Sequence, residues 1–336
     1  MGRWKSKSWW QRVALLVGGV VIALGILTAY LLRDPMPRFA ERRSSLAEVK
    51  TSASTMENGY VYTPARLVAK SGLAVDLVVR RAVEDSGRTL PLAVILGGHL
   101  TGKEAARMLG DTRGVLVAAV SYPFSGDVRP GAATFLREIP KIRGAFLDTP
   151  PALMLTLDYL LRLPRVDTTR VEGIGVSLGA PFAVVAGALD SRFTRVWAIH
   201  GSGGSYAPLE MNMRRTIHFA PARMAAAAIA DVIIAGPRLD PSRWVGRIAP
   251  RTFVMVNATE DERMPRAQVE ELFQNAREPK VQIPMSGGHV HGDSATITRL
   301  VHIVMSRVRE GAPVAARESS RGAPAPKVQE ARPTRG

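Results

Sequence analysis

VEGIGVSLGAPFAV, residues 171–184, decides how the rest of the chain is read. A short apolar run meets Ser177, which has Gly175 two places before it and Gly179 two places after. An Ala-rich segment of helical character follows. Gly175-Val176-Ser177-Leu178-Gly179 is therefore a G-x-S-x-G motif at a strand-to-helix junction. So sharp a turn brings neighbouring backbone against the positions two residues either side of its apex. Glycine there leaves room, and the apex hydroxyl is held in a strained backbone above the sheet. The amide of Leu178, at a helix N-terminus, is placed to stabilise an oxyanion.

A serine hydroxyl is a weak nucleophile until a base takes its proton. In a strand-turn-helix setting of this kind the partners follow in the order serine, acid, histidine. Of the six histidines, His289 and His291 come after the strand-like KVQIPM, in SGGHVHGD. His289 is assigned the base because Ser286-Gly287-Gly288 gives it a flexible approach; His291 is the alternative. The acid is expected after the preceding strand, where RTFVMVNATEDERMP offers Glu260, Asp261 and Glu262. Asp261 is the choice, being short enough for turn backbone to hold, and the two glutamates are expected to face solvent. A second oxyanion amide is expected from LGGHLTGKE, where Gly97 and Gly98 allow close backbone approach. His99 supplies it, with Leu100 as the lesser candidate. Gly98, Tyr122 and His200, at the ends of other strand-like runs, are expected to line the substrate pocket.

The rest of the chain alternates. Strand-like runs fall at 66–70, 74–82, 92–98, 114–122, 171–177, 195–201, 251–259 and 280–285, and helix-like runs at 103–109, 151–163, 178–189, 221–236, 266–276 and 293–310. Pro151 and Pro221 suit first helical turns. Near-continuous apolar strands between helices predict a mostly parallel, eight-stranded sheet with helices on both faces, an α/β fold. Residues 203–248 are a candidate lid, with Met211, Met213, Phe219 and Met224 as an adaptable apolar wall. Arg214, Arg215 and His218 read as a solvated face.

These stretches together resemble the α/β-hydrolase superfamily, in particular its dienelactone-hydrolase and prolyl-oligopeptidase-like esterase branches. The resemblance covers about Pro91 to Val308 and rests on LPLAVILGGHLTGKEA, LPRVDTTRVEGIGVSLGAPFAVVAGALDSRF, LDPSRWVGRIAPRTFVMVNATEDERMP and SGGHVH. It implies Ser177 as nucleophile, Asp261 as acid and His289 as base. The family's first-loop motif usually has His-Gly, whereas Gly97-Gly98-His99 stands here, which loosens the oxyanion assignment. Ala180 replaces a glycine of many relatives. The segment before Tyr60 is too short for a β-propeller.

Residues 13–32, VALLVGGVVIALGILTAYLL, are uncharged and as a helix span about 30 Å. Trp4, Trp9 and Trp10 suit the headgroup layer, and the run is longer than the core of a signal peptide. It is read as an uncleaved anchor. Residues 1–12, with Arg3, Lys5, Lys7 and Arg12, are a basic segment that favours a cytoplasmic N-terminus and a catalytic domain on the extracytoplasmic, periplasmic side. Residues 33–58 are expected to be a linker, 59–310 the hydrolase domain and 311–336, rich in Ala, Pro and Arg, a disordered tail.

Composition narrows the chemistry. The 336 residues contain no cysteine, which removes disulfides, thiolate catalysis and thiolate metal sites. A formal charge of +16 is compatible with an anionic surface, but the arginines are scattered and no nucleic-acid motif appears. His289-x-His291 alone is too thin for a metal site. Neither a P-loop nor a dinucleotide fingerprint is present, so no cofactor is expected. The expectation is a membrane-anchored serine hydrolase that cleaves small-molecule carboxylic esters through an acyl-enzyme. The alternatives are an acyltransferase, a peptidase or amidase with the same triad, and a non-catalytic binding protein of the same fold.

Overall fold

The computed structural model describes residues 9–98, 101–126, 132–290 and 294–311. Its centre is one ten-stranded sheet: β1 Leu46–Thr51, β2 Thr55–Glu57, β3 Tyr60–Ala69, β4 Ala74–Ala82, β5 Leu90–Leu96, β6 Leu116–Val120, β7 Val166–Val176, β8 Arg195–Ile199, β9 Thr252–Ala258 and β10 Lys280–Met285. The order is β1-β3-β4-β6-β5-β7-β8-β9-β10, with β2 paired to β3. From β6 to β10 every pairing is parallel, while β1, β2, β3 and β4 are joined antiparallel and β4 meets β6 antiparallel.

The chain leaves β5 for β6 on one side and then passes to β7 on the other. That reversal opens a crevice at the C-terminal ends of β5 and β7, where an open α/β sheet holds its ligands. The parallel strands are buried on both faces, as their apolar runs require. Leu92, Val94 and Leu96 of β5 join one core with the helix Gly179–Leu189 and the long helix Ala132–Leu160. Ala93 and Ile95 point to the other face, under the helix Ser294–Glu310. On that second face the Glu172 carboxylate accepts from the Arg195 guanidinium at 2.7 Å and from Trp197 Nε1 at 2.7 Å, with both charged side chains buried.

Three expectations are corrected. The sheet has ten strands rather than eight, and residues 33–58 are not a free linker. The helix Met36–Arg42 buries Phe39 and lays Arg38 and Arg42 on Asp148, each at 2.9 Å, and β1 and β2 extend the sheet edge. Strand β1 escapes a reading by hydrophobic pattern because five of its six residues are exposed; ladder bonds to β3 hold it. Pro151 does not start a helix. It lies, with Pro140 and Pro150, inside Ala132–Leu160, where burial of Leu153, Leu155 and Leu157 outweighs local propensity.

The helix Trp9–Leu31 is long and apolar enough to cross a membrane, and none of its residues is buried. Residues 1–8 of the basic segment 1–12 and residues 312–336 of the tail 311–336 lie outside the described residues.

Candidate active site

Ser177 follows β7 directly and has φ +53°, the left-handed region that a non-glycine residue enters only under constraint. The constraint is visible on both sides. Its N–H donates to Ile199 O at 2.8 Å, and the Ala180 N–H donates to Ser177 O at 3.0 Å. A Cβ on Gly175 would stand 2.4 Å from Gly179 O, and one on Gly179 would stand 2.2 Å from Leu96 O. Both glycines are therefore required by contact. Leu178 precedes the first residue of the helix Gly179–Leu189, so its N–H is one that no helical carbonyl claims.

Ser177 Oγ lies 2.9 Å from His289 Nε2, across 112 positions of sequence. His289 Nδ1 lies 2.9 Å from each carboxylate oxygen of Asp261. Asp261 is gripped further. Its Oδ1 accepts the N–H groups of Arg263 at 2.9 Å and Met264 at 3.0 Å, and its Oδ2 faces His200 Nδ1 at 3.0 Å. Burial alone would raise this carboxyl; the hydrogen bonds from His200 and His289 outweigh it and hold Asp261 well below the ordinary carboxylate range. The imidazole of His289 is thus oriented with Nδ1 toward the acid and Nε2 toward the serine hydroxyl.

His200 does not line the pocket as expected. It is fully buried with φ +49°, its ring edge-on to His289 at 4.9 Å between centroids, and its Nε2 has no hydrogen-bond partner among the described residues. The second imidazole on the acid was not readable from spacing, since His200 looks like any residue at a strand end. Tyr122 also lies outside the pocket lining. Its hydroxyl donates to Gly97 O at 2.7 Å, and burial pushes its phenol far above the usual value. It therefore pins the loop after β5. Gly98 belongs to that loop: a Cβ there would touch Ser177 Cβ at 3.6 Å. His99, Leu100 and His291 lie outside the described residues. Glu262 does more than face solvent, because its Oε2 accepts the His289 backbone N–H at 2.9 Å.

A cavity of about 390 Å³ opens beside Ser177 and Leu178. Its walls are mainly apolar: Phe146, Phe182, Leu209, Ile234, Leu239 and Met264. The expected lid, 203–248, supplies part of that wall through Pro208, Leu209 and Asn212 of the helix Tyr206–Met213, through Ile234, and through Gly236 and Leu239 of the helix Gly236–Leu239. The expected methionine wall is corrected. Met211, Met213, Phe219 and Met224 are not among the lining residues, and Phe219 and Met224 face outward. Arg214 and Arg215 pair with Glu210 and Glu262, at 2.8 and 3.4 Å.

His200, Asp261 and His289 also offer ligand-type atoms within 4.8 Å of one another. Each Nδ1 sits at hydrogen-bond distance from the shared carboxylate, an arrangement that a ring proton completes.

No family model matches the chain, and no curated protein does. Solved structures do match. An acetyl xylan esterase from Paenibacillus sp. R4 aligns at a TM-score of 0.57 and 16% identity, over 81% of this chain and 91% of that one. The α/β hydrolase GrgF from Penicillium sp. sh18 aligns at 0.51 and 15%, over 74% of this chain and 99% of that one. The chain has the α/β-hydrolase fold. Acetyl xylan esterase 1 from Thermoanaerobacterium sp. JW/SL YS485, at 0.55 and 14%, covers 83% of this chain and 93% of its own. Within this α/β-hydrolase fold, strands β3 to β10 carry the eight-stranded arrangement expected from the sequence, and β1 and β2 are additions at its edge.

Proposed function

We propose that this chain is a membrane-anchored serine hydrolase that cleaves carboxylic esters through Ser177, His289 and Asp261. The observation that carries the reading is the 2.9 Å approach of His289 Nε2 to a serine held at positive φ, with the other ring nitrogen on a buried carboxylate. Acetyl xylan esterases among the similar structures support an ester as substrate. The mainly apolar cavity beside Ser177 suits one side of a small acyl ester.

Ser177 Oγ attacks the ester carbonyl as His289 Nε2 takes its proton. The carbonyl oxygen gains charge and is met by the Leu178 N–H, and by an N–H from the loop after β5, to which His99 belongs. The imidazolium then protonates the departing alkoxide, leaving an acyl-serine. Water, deprotonated by the same nitrogen, releases the acid and restores the hydroxyl. Asp261 stays ionised throughout and stabilises the imidazolium.

The apolar helix Trp9–Leu31 is the anchor, with the N-terminus cytoplasmic and the catalytic domain outside; the basic residues ahead of it support that orientation. A fluorophosphonate probe tests the chemistry. The folded chain is expected to be labelled at Ser177, with Ser177→Ala neither labelled nor active on short p-nitrophenyl esters. Turnover retained by Ser177→Ala refutes the assignment.

A further inference from the structure

The helix Ala220–Ile233 is turned the wrong way round for a surface in water. From Pro221 to Ile229 every exposed position is apolar: Pro221, Ala222, Met224, Ala225, Ala228 and Ile229. Met224 is 52% and Ile229 61% exposed, and Phe219, just ahead of the helix, is 68% exposed. Its two charged residues point inward. Arg223 is turned onto Glu210 with 14% of its side chain exposed, and Asp231 is buried. A helix on an aqueous surface shows the opposite arrangement.

Its position gives this face a partner. Arg143 donates to the carbonyls of Val232 and Ile233, at 3.0 and 2.8 Å, and with its other terminal nitrogen to the carbonyl of Leu31. Leu31 is the last residue of the apolar helix Trp9–Leu31, and Arg238 donates to the next carbonyl, Leu32. The two helices therefore touch where the long one ends. On the helix that carries Arg143, Leu136 lies seven residues earlier, hence on the same side, and is 73% exposed. If the long helix crosses a bilayer, its end marks the headgroup level, and the apolar face of Ala220–Ile233 stands beside that level.

We propose that this face rests in the interfacial layer of the bilayer, so that the catalytic domain lies on lipid as well as being anchored in it. The inference builds on the anchor reading above. An interfacial helix buries its apolar side about 5–10 Å into the headgroup boundary. The chain's charge of +16 adds attraction to anionic lipid. Ile234, Gly236 and Leu239, which continue directly from this helix, form one wall of the cavity at Ser177, so the cavity wall continues into the lipid-facing helix.

The absence of cysteine makes the test direct. Single cysteines are introduced in the full chain as Met224→Cys, Ile229→Cys, Ile22→Cys in the long helix, and His302→Cys on the opposite face of the sheet. Each is nitroxide-labelled and reconstituted in vesicles of phosphatidylcholine and phosphatidylglycerol. Collision rates with oxygen and with a water-soluble nickel chelate are then compared. At positions 224 and 229 oxygen is expected to win, as at 22, with the ratio reversed at 302. Water-like ratios at 224 and 229 beside a hydrocarbon-like ratio at 22 overturn the proposal and leave the anchor standing. A water-like ratio at 22 as well removes both. Spin–spin broadening at 224 and 229 already in detergent shows a second copy on the face and also overturns it.

Discussion

Gly179→Ala adds one methyl group at a place with no room for it. The new Cβ would stand 2.2 Å from Leu96 O and 2.9 Å from Gly97 O, both backbone atoms at the end of β5. A carbon and a carbonyl oxygen settle at about 3.3 Å, so the overlap is on the order of 1 Å. The end of β5 is tied into the sheet by its neighbours β6 and β7, which leaves the start of the helix Gly179–Leu189 to lift away. That movement carries Leu178 and Ser177 with it. A shift of about 1 Å at reacting groups costs about 10²-fold, and overpacking of this kind costs about 1–3 kcal/mol of stability. The assay is kcat/KM on a short p-nitrophenyl ester together with urea denaturation. Gly110→Ala is the control, because its Cβ would meet nothing within 4 Å. Wild-type kcat/KM and an unchanged midpoint for Gly179→Ala would refute the close-approach argument.

Asp261→Asn is expected to lower kcat by about 10⁴, the loss seen when a triad acid no longer selects the imidazole tautomer. An effect of less than about tenfold moves the acid to Glu260 or Glu262, since only a triad acid carries so large a share. His200→Phe removes one of the donors that depress Asp261. A carboxyl depressed in the folded state stabilises it above the unfolded value and loses that contribution as pH falls through the folded one. The variant's acid unfolding, followed by circular dichroism, is therefore expected at higher pH than wild type; an unchanged midpoint would show that the 3.0 Å contact carries no weight. Glu172→Ala takes the carboxylate away from the buried Arg195 guanidinium and is expected to cost about 3–5 kcal/mol in urea unfolding. A loss below about 1 kcal/mol, the scale of an exposed pair, would mean water reaches the guanidinium.

Where one periodic signal dominated, the chain was legible. The runs 74–82 and 280–285 coincide with β4 and β10 to the residue, and the G-x-S-x-G turn has the close contacts that its glycines imply. Ser177, Asp261 and His289 meet because each follows a parallel strand, and chain order alone brings such ends to one edge of the sheet. Where contacts between distant parts decide, the sequence was silent. Strand β1 has almost no apolar pattern and is held by its ladder with β3. Prolines 140, 150 and 151 lie in a helix kept by its buried side. The inward turn of His200 depends on Asp261, 61 residues away. Ile234 and Leu239, rather than the methionines expected inside, line that wall.

Only Leu32, Arg33, Asp34 and Pro35 separate the end of the long apolar helix from the packed helix Met36–Arg42. Four residues reach about 14 Å at full stretch, whereas a free coil running through residue 58 would average about 28 Å. With the apolar helix in a bilayer, so short a stalk denies the catalytic unit any excursion into bulk solution. On the proposed function, its search for substrate becomes two-dimensional, set by lateral diffusion and by how strongly an ester partitions to the surface rather than by its concentration in water.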